Sequence, residues 1–141
     1  MHRKNFPIIL DTNVLYAGLY SSSGASFKVL KRIESGKIQP ILSATLLFEY
    51  EAVLKRNKKI LELSDHEIEK LLDYFCMQSK HQKIHFLWRP QLPDAKDDHI
   101  LELAVASGTK FIITHNIKDF KGIEVFNVRA ITPQQLLEGK L

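Results

Sequence analysis

Three short apolar runs, at residues 8–10, 38–43 and 111–114, are each followed by a stretch with helical periodicity. Such runs are too short for helices and suit buried strands. Two strands can be joined through a helix only if they lie parallel, because a parallel neighbour needs a long crossover. The alternation therefore restricts the chain to β-α units, and so to a three-layer α/β/α sandwich around a central parallel sheet. Two weaker segments, at 84–88 and 125–128, bring the expected strands to five.

Helices are expected at 13–20, at 25–35 with Phe27, Val29, Leu30 and Ile33 inward, and at 44–56 with Leu46, Leu47, Tyr50, Val53 and Leu54 inward. Ser64 and Glu67 form a capping-box pattern that opens another helix, with Ile68, Leu71, Leu72 and Phe75 on its buried face. A helix following Asp94 runs to Ser107 and stops at Gly108, and Thr132-Pro133 opens the last one. Pro40 interrupts the second strand, which predicts an edge position or an irregular start.

The 141 residues are expected to form one domain over 1–141. No apolar run approaches the ~20 residues of a membrane span, and the residues before Asp11 are too few for a signal peptide. The cytoplasm is the expected location. One cysteine, Cys76, excludes an intrachain disulfide and a cysteine-based zinc site. The formal charge of +4 suits a polyanionic partner.

Against that basic background, carboxylates collect at places the topology brings together. Ligands of an open parallel sheet bind beyond the carboxyl ends of its strands. Asp11 directly follows the first strand and Asp119 lies in the loop after the run at 111–114. A helix following a strand begins at that same edge, which adds Asp97 and a glutamate of the 44–56 helix. Asp97 shares a helix face with Ile100, Leu101 and Ala104, so it is expected inward, whereas Asp98 lines up with Glu102 on the wetter side. Glu49 and Glu51 flank the buried stripe at Tyr50 almost symmetrically, and periodicity leaves that choice open. Clustered carboxylates raise one another's pKa unless a cation neutralises them, and their hard oxygens suit Mg²⁺ or Mn²⁺. An acidic, metal-holding rim on a basic protein points to phosphodiester hydrolysis by metal-activated water.

At these residues the sequence resembles the PIN-domain nucleases, the fold of VapC-like toxins of toxin-antitoxin pairs. The motifs are Ile-Leu-Asp11-Thr12-Asn13-Val14-Leu, Glu49 before Val53-Leu54, Asp94-x-x-Asp97-Asp98 before Leu103-Ala104, and Ile-Ile-Thr114-His-Asn116-x-x-Asp119-Phe120. The resemblance implies a five-stranded parallel sheet with helices on both faces, divalent-metal-dependent cleavage of RNA, and frequent dimerisation. It selects Glu49 over Glu51. Carried over by position, Asp11, Glu49 and Asp97 look like the metal-holding, catalytic triad, with Asp119 as a fourth acidic position. Asn13 and Thr114 look like residues that orient Asp11 by hydrogen bonds. Some relatives carry an acid where Asn116 stands, so either Asn116 or Asp119 faces the metal, and Asp94 and Asp98 are within reach of a second ion.

Lys118 and Lys121 beside the site are expected to contact RNA phosphates, while the basic run at 55–59 reads as a solvated helix end. The implied mechanism uses metal-activated water, which leaves His99 and His115 without an assigned catalytic role. Trp88 and Phe120 read as core. The leading expectation is a ribonuclease toxin with a cognate antitoxin. Its alternatives are an RNA-processing nuclease, a non-catalytic RNA-binding domain, and a phosphoryl-transfer enzyme. Haloacid-dehalogenase chemistry needs a second Asp where Asn13 stands.

Overall fold

The computed structural model describes residues 6–84, 92 and 94–141. Five strands form one sheet: β1 (Phe6–Leu10), β2 (Ile38–Leu42), β3 (Lys80–His81), β4 (Phe111–Ile113) and β5 (Arg129–Ile131). Their order is β3-β2-β1-β4-β5 and every pairing is parallel. The unbroken apolar run of β1 has its reason in this order. As the central strand it is covered on both faces, and Ile8, Ile9 and Leu10 are fully buried.

The helices are α1 (Thr12–Tyr20), α2 (Ala25–Glu34), α3 (Ala44–Arg56), α4 (Lys58–Leu61), α5 (Asp65–Gln78), α6 (Asp98–Ser107) and α7 (Pro133–Leu137). The chain walks from β1 to β2 to β3 on one side, then crosses back to β4 and β5 on the other. Right-handed crossovers in opposite directions lay helices on opposite faces, which completes the three layers. Both capping boxes form: Ser64 with Glu67 at α5 and Thr132 with Gln135 at α7. Gly108 closes α6 with a left-handed φ of 71°, a conformation that L side chains rarely adopt. Gly18 of α1 faces α2 so closely that a Cβ there would lie 2.5 Å from Leu30 Cδ1. Among the described residues, no helix is long and apolar enough to cross a membrane.

Several expectations change. The fifth strand is Arg129–Ile131, not 125–128; Ile123–Phe126 is a 3-10 helix closed by Asn127 at φ 65°. The apolar letters there misled, since Val125 is 83% exposed. The third strand is the polar pair Lys80–His81, an edge with no apolar signal; the predicted segment falls from residue 85 onward, including Trp88, outside the described residues. Pro40 lies on a strand that is second from the edge. It pairs with Ile8, and β3 joins only at Ile41 and Leu42, so the missing N–H interrupts no ladder bond to β3. The basic run at the end of α3 continues into α4, whose end is Glu62 at φ 57°.

Candidate active site at the carboxyl edge of the sheet

The strand order reverses between β1 and β4, and in open α/β sheets this switch point opens a crevice. Asp11 stands at the end of β1 and Thr114 at the end of β4. The Thr114 hydroxyl donates to Asp11 Oδ2 at 2.8 Å, directly across the switch point. Thr114 is fully buried. Its oxygen also accepts from the Asn116 backbone N–H at 3.0 Å and from Asn13 Nδ2 at 3.4 Å, and Asn13 Nδ2 lies 3.4 Å from Asp11 Oδ2 as well. Asn13 Oδ1 in turn accepts the His115 N–H at 3.3 Å. Asp11 is also the N-cap of α1, accepting the Thr12 N–H on Oδ1 at 2.8 Å. Burial pushes its carboxyl up, against the hydrogen bonds from Thr114 and Thr12, and the charge of Glu49 adds to the rise.

Glu49 sits in the second turn of α3, which begins at the same edge because Ser43 at the end of β2 caps it. Glu51 faces elsewhere and pairs with Lys55 at 3.0 Å. Each oxygen of Glu49 has a donor: the Thr12 hydroxyl on Oε2, and His99 Nε2 on Oε1 at 2.8 Å. Burial works to raise the Glu49 pKa, but the hydrogen bonds from His99 and Thr12 outweigh it and hold the carboxyl below its ordinary range. Thr12 therefore supports Asp11 only through its backbone; its hydroxyl belongs to Glu49.

Asp97 ends the 3-10 turn Ala95–Asp97 that leads into α6, and its side chain makes no capping hydrogen bond. A carboxylate merely capping the helix would make that bond. Burial, followed by the charges of Asp11, Asp94, Asp119 and Glu49, pushes Asp97 up to about 6. Asp119 is half-buried in the 3-10 helix Ile117–Phe120, close enough to act on Asp97. Asn116 is exposed, and it reaches this network through its backbone N–H to Thr114.

Asp98 corrects the helical-wheel expectation. It is 8% exposed and Glu102 is 4% exposed, so neither lies on a wet side. The first half of α6 is buried nearly all round, and a wheel that assumes one solvated face fails there. Asp98 Oδ1 accepts the Leu92 N–H at 3.0 Å and thereby ties Leu92 to the start of α6.

Lys118 and Lys121 are exposed beside Asp119. Lys55 pairs with Glu51 and Glu69, and Lys58 with Asp65, as expected of a solvated helix end. Phe120 is buried in the core. From the sequence Thr12 reads, with Asn13, as a support that holds Asp11 toward a metal, whereas its hydroxyl goes to Glu49; Tyr50 reads only as core, and the reach of His99 to Glu49 carries no sequence signal. For Tyr50, a polar-tipped aromatic in the middle of a buried stripe, next to an acid, was the available signal.

Among the described residues, no group of three or more His, Cys, Asp or Glu side chains is arranged to hold a metal ion. The donor chemistry nonetheless fits a hard cation. Asp11, Glu49, Asp97 and Asp119 offer only carboxylate oxygens, and the raised pKa values of Asp11 and Asp97 mark negative charge that a cation would stabilise.

The fold and this edge define an open parallel α/β domain with carboxylates gathered around its switch point. The chain belongs to the PIN-domain family, whose model matches residues 7–118. PIN domains are generally nucleases. No curated protein matches the chain. Among solved structures it is similar to VapBC2 from Rickettsia felis bound to a DNA fragment from their promoter, at 16% identity and a TM-score of 0.60, covering 89% of this chain and 98% of that one. It is also similar to the T. brucei RRP44 PIN domain, at 15% identity and a TM-score of 0.51, covering 98% of this chain and 82% of that one. At these identities the likeness is one of fold.

Proposed function

We propose that the protein is a divalent-metal-dependent endoribonuclease that acts as the toxin of a toxin-antitoxin pair. The observation that carries the catalytic part is the convergence of Asp11, Glu49, Asp97 and Asp119 on one switch point. In this reading these four carboxylates hold Mg²⁺ or Mn²⁺. When bound, the ion would lower the pKa of a water and neutralise charge on the scissile phosphate. Thr114 and Asn13 keep Asp11 aimed at the crevice, and the Asn116 N–H fixes the Thr114 oxygen. Asp98 ties Leu92 to the start of α6 and so supports the placement of Asp97. Lys118 and Lys121 bind RNA phosphates, beside the acidic groups rather than among them.

The toxin role is supported by the fold shared with the VapBC2 complex. It implies a cognate antitoxin as partner, a homodimer, and action in the cytoplasm. A second reading within the PIN-domain family is an RNA-processing nuclease without an antitoxin. Incubation of a mixed RNA pool with Mg²⁺ or Mn²⁺ tests the catalytic claim. Wild type should cleave, and Asp11→Asn and Asp97→Asn should not; equal cleavage by all three would mean a contaminant. Induced expression should arrest growth, and Asp11→Asn should relieve the arrest if the toxin reading holds.

A further inference from the structure

We infer that His99 is a positioning residue that, together with Thr12, fixes Glu49 relative to the other carboxylates; the inference rests on the reading of Glu49 as a cation ligand. His99 lies on the first turn of α6, two positions after Asp97, and reaches across to Glu49 on α3 at 2.8 Å. Thr12 lies on the first turn of α1, next to Asp11, and reaches the other oxygen of the same carboxylate. Glu49 is thus tied at once to the helix that follows Asp11 and to the helix that follows Asp97. The Glu49 side chain is itself 33% exposed, so packing alone does not hold it in one rotamer.

The ring is set for this task. A carboxylate has only acceptors to offer, so Nε2 carries the proton. Nδ1 is buried and has no hydrogen-bond partner among the described residues. An unprotonated Nδ1 leaves only a lone pair unpaired there, whereas a proton on it would be a buried donor without an acceptor among the described residues. The ring therefore acts as a single-point donor aimed at Glu49. It contacts neither Asp11 nor Asp97 through a hydrogen bond. Two donors on two different helices still leave each Glu49 oxygen a free acceptor site for a further ligand.

The test compares His99→Leu, His99→Gln, Thr12→Val and Glu49→Gln with wild type. One readout is the rise in melting temperature on adding Mn²⁺, and the other is kcat and KM for cleavage of single-stranded RNA. His99→Leu should lose most of the Mn²⁺-induced rise and lower kcat by ~10–100-fold, with KM for RNA little changed. His99→Gln places an amide donor near the position of Nε2 and should recover most of both. Thr12→Val should reproduce the His99→Leu pattern in milder form, and it stands in if His99→Leu does not fold. A His99→Leu protein with the wild-type Mn²⁺ response and kcat overturns the positioning role, as does a His99→Gln protein no better than His99→Leu. If Glu49→Gln itself keeps the wild-type response, the reading of Glu49 as a ligand fails, separately from the role of His99.

Discussion

The Tyr50 hydroxyl donates to the Leu10 carbonyl at 2.5 Å, and each of these residues stands next to a carboxylate of the site. Leu10 precedes Asp11 and Tyr50 follows Glu49, so one buried bond sets the distance between the end of β1 and the second turn of α3. Both side chains are fully buried, and the Tyr50 ring packs edge-on against Phe75 with centroids 5.4 Å apart. Tyr50→Phe keeps the ring and removes the bond. It should destabilise the protein by ~1 kcal/mol in urea unfolding with an unchanged m value, and should reduce cation-dependent cleavage more than that loss explains.

Asp97→Asn should stabilise the cation-free protein at neutral pH. Burial and the neighbouring carboxylates raise the folded pKa of Asp97 from 3.8 to about 6. A carboxyl raised in this way contributes stability below its unfolded pKa and loses it as pH rises through the folded one. Wild type should therefore lose stability between about pH 4 and pH 6 relative to Asp97→Asn. Because Asp97 is half-exposed, solvent screening holds the difference to ~1 kcal/mol. Thermal melts across this range check it, and Mg²⁺ should erase the variant's advantage at pH 7.

Thr114→Val is nearly isosteric and removes the donor on Asp11 Oδ2. Burial already raises the Asp11 carboxyl, and the Thr114 hydroxyl opposes that rise. Its loss should move the acid limb of the pH-rate profile to higher pH and lower activity by ~10–100-fold at pH 7. An unshifted limb would mean that Asp11 does not govern it.

Lys118→Ala and Lys121→Ala should weaken RNA binding without altering the Mn²⁺ response of the protein. Each should flatten the slope of log K against log salt by ~0.7, the value per phosphate contact on a single strand. Lys55→Ala and Lys58→Ala should leave the slope unchanged, because acidic partners already occupy these side chains.

The parts legible in the sequence were those written in periodicity. The apolar runs of β1, β2 and β4 mark strands covered on both faces, and α1, α2, α3 and α5 lie within a residue or so of the helical pattern. The capping boxes at Ser64 and Thr132 mark their helices for the same reason, since each satisfies local backbone groups. Where tertiary context overrides local preference, the pattern fails. Lys80–His81 becomes a strand because Ile41 and Leu42 offer an edge, and Asn127 takes a left-handed φ that closes the 3-10 helix Ile123–Phe126, so the strand begins only at Arg129. In the site, strand-end logic places Asp11, Asp97 and Asp119. Periodicity alone leaves Glu49 and Glu51 open and the family resemblance selects Glu49, but the reach of Thr12 and His99 to it across three helices is contained in no one-dimensional spacing. The burial of Asp98 likewise depends on how much of α6 the sheet covers.

The central claim is that the carboxylates of the switch point form a divalent-cation site. Counting free Mn²⁺ by electron paramagnetic resonance, during titration of the wild-type protein and of an Asp11→Asn/Asp97→Asn double variant at pH 7.5, tests it most directly. The account predicts saturable binding to wild type, at least ~10-fold tighter than to the double variant. Equal, weak binding by both proteins would contradict it.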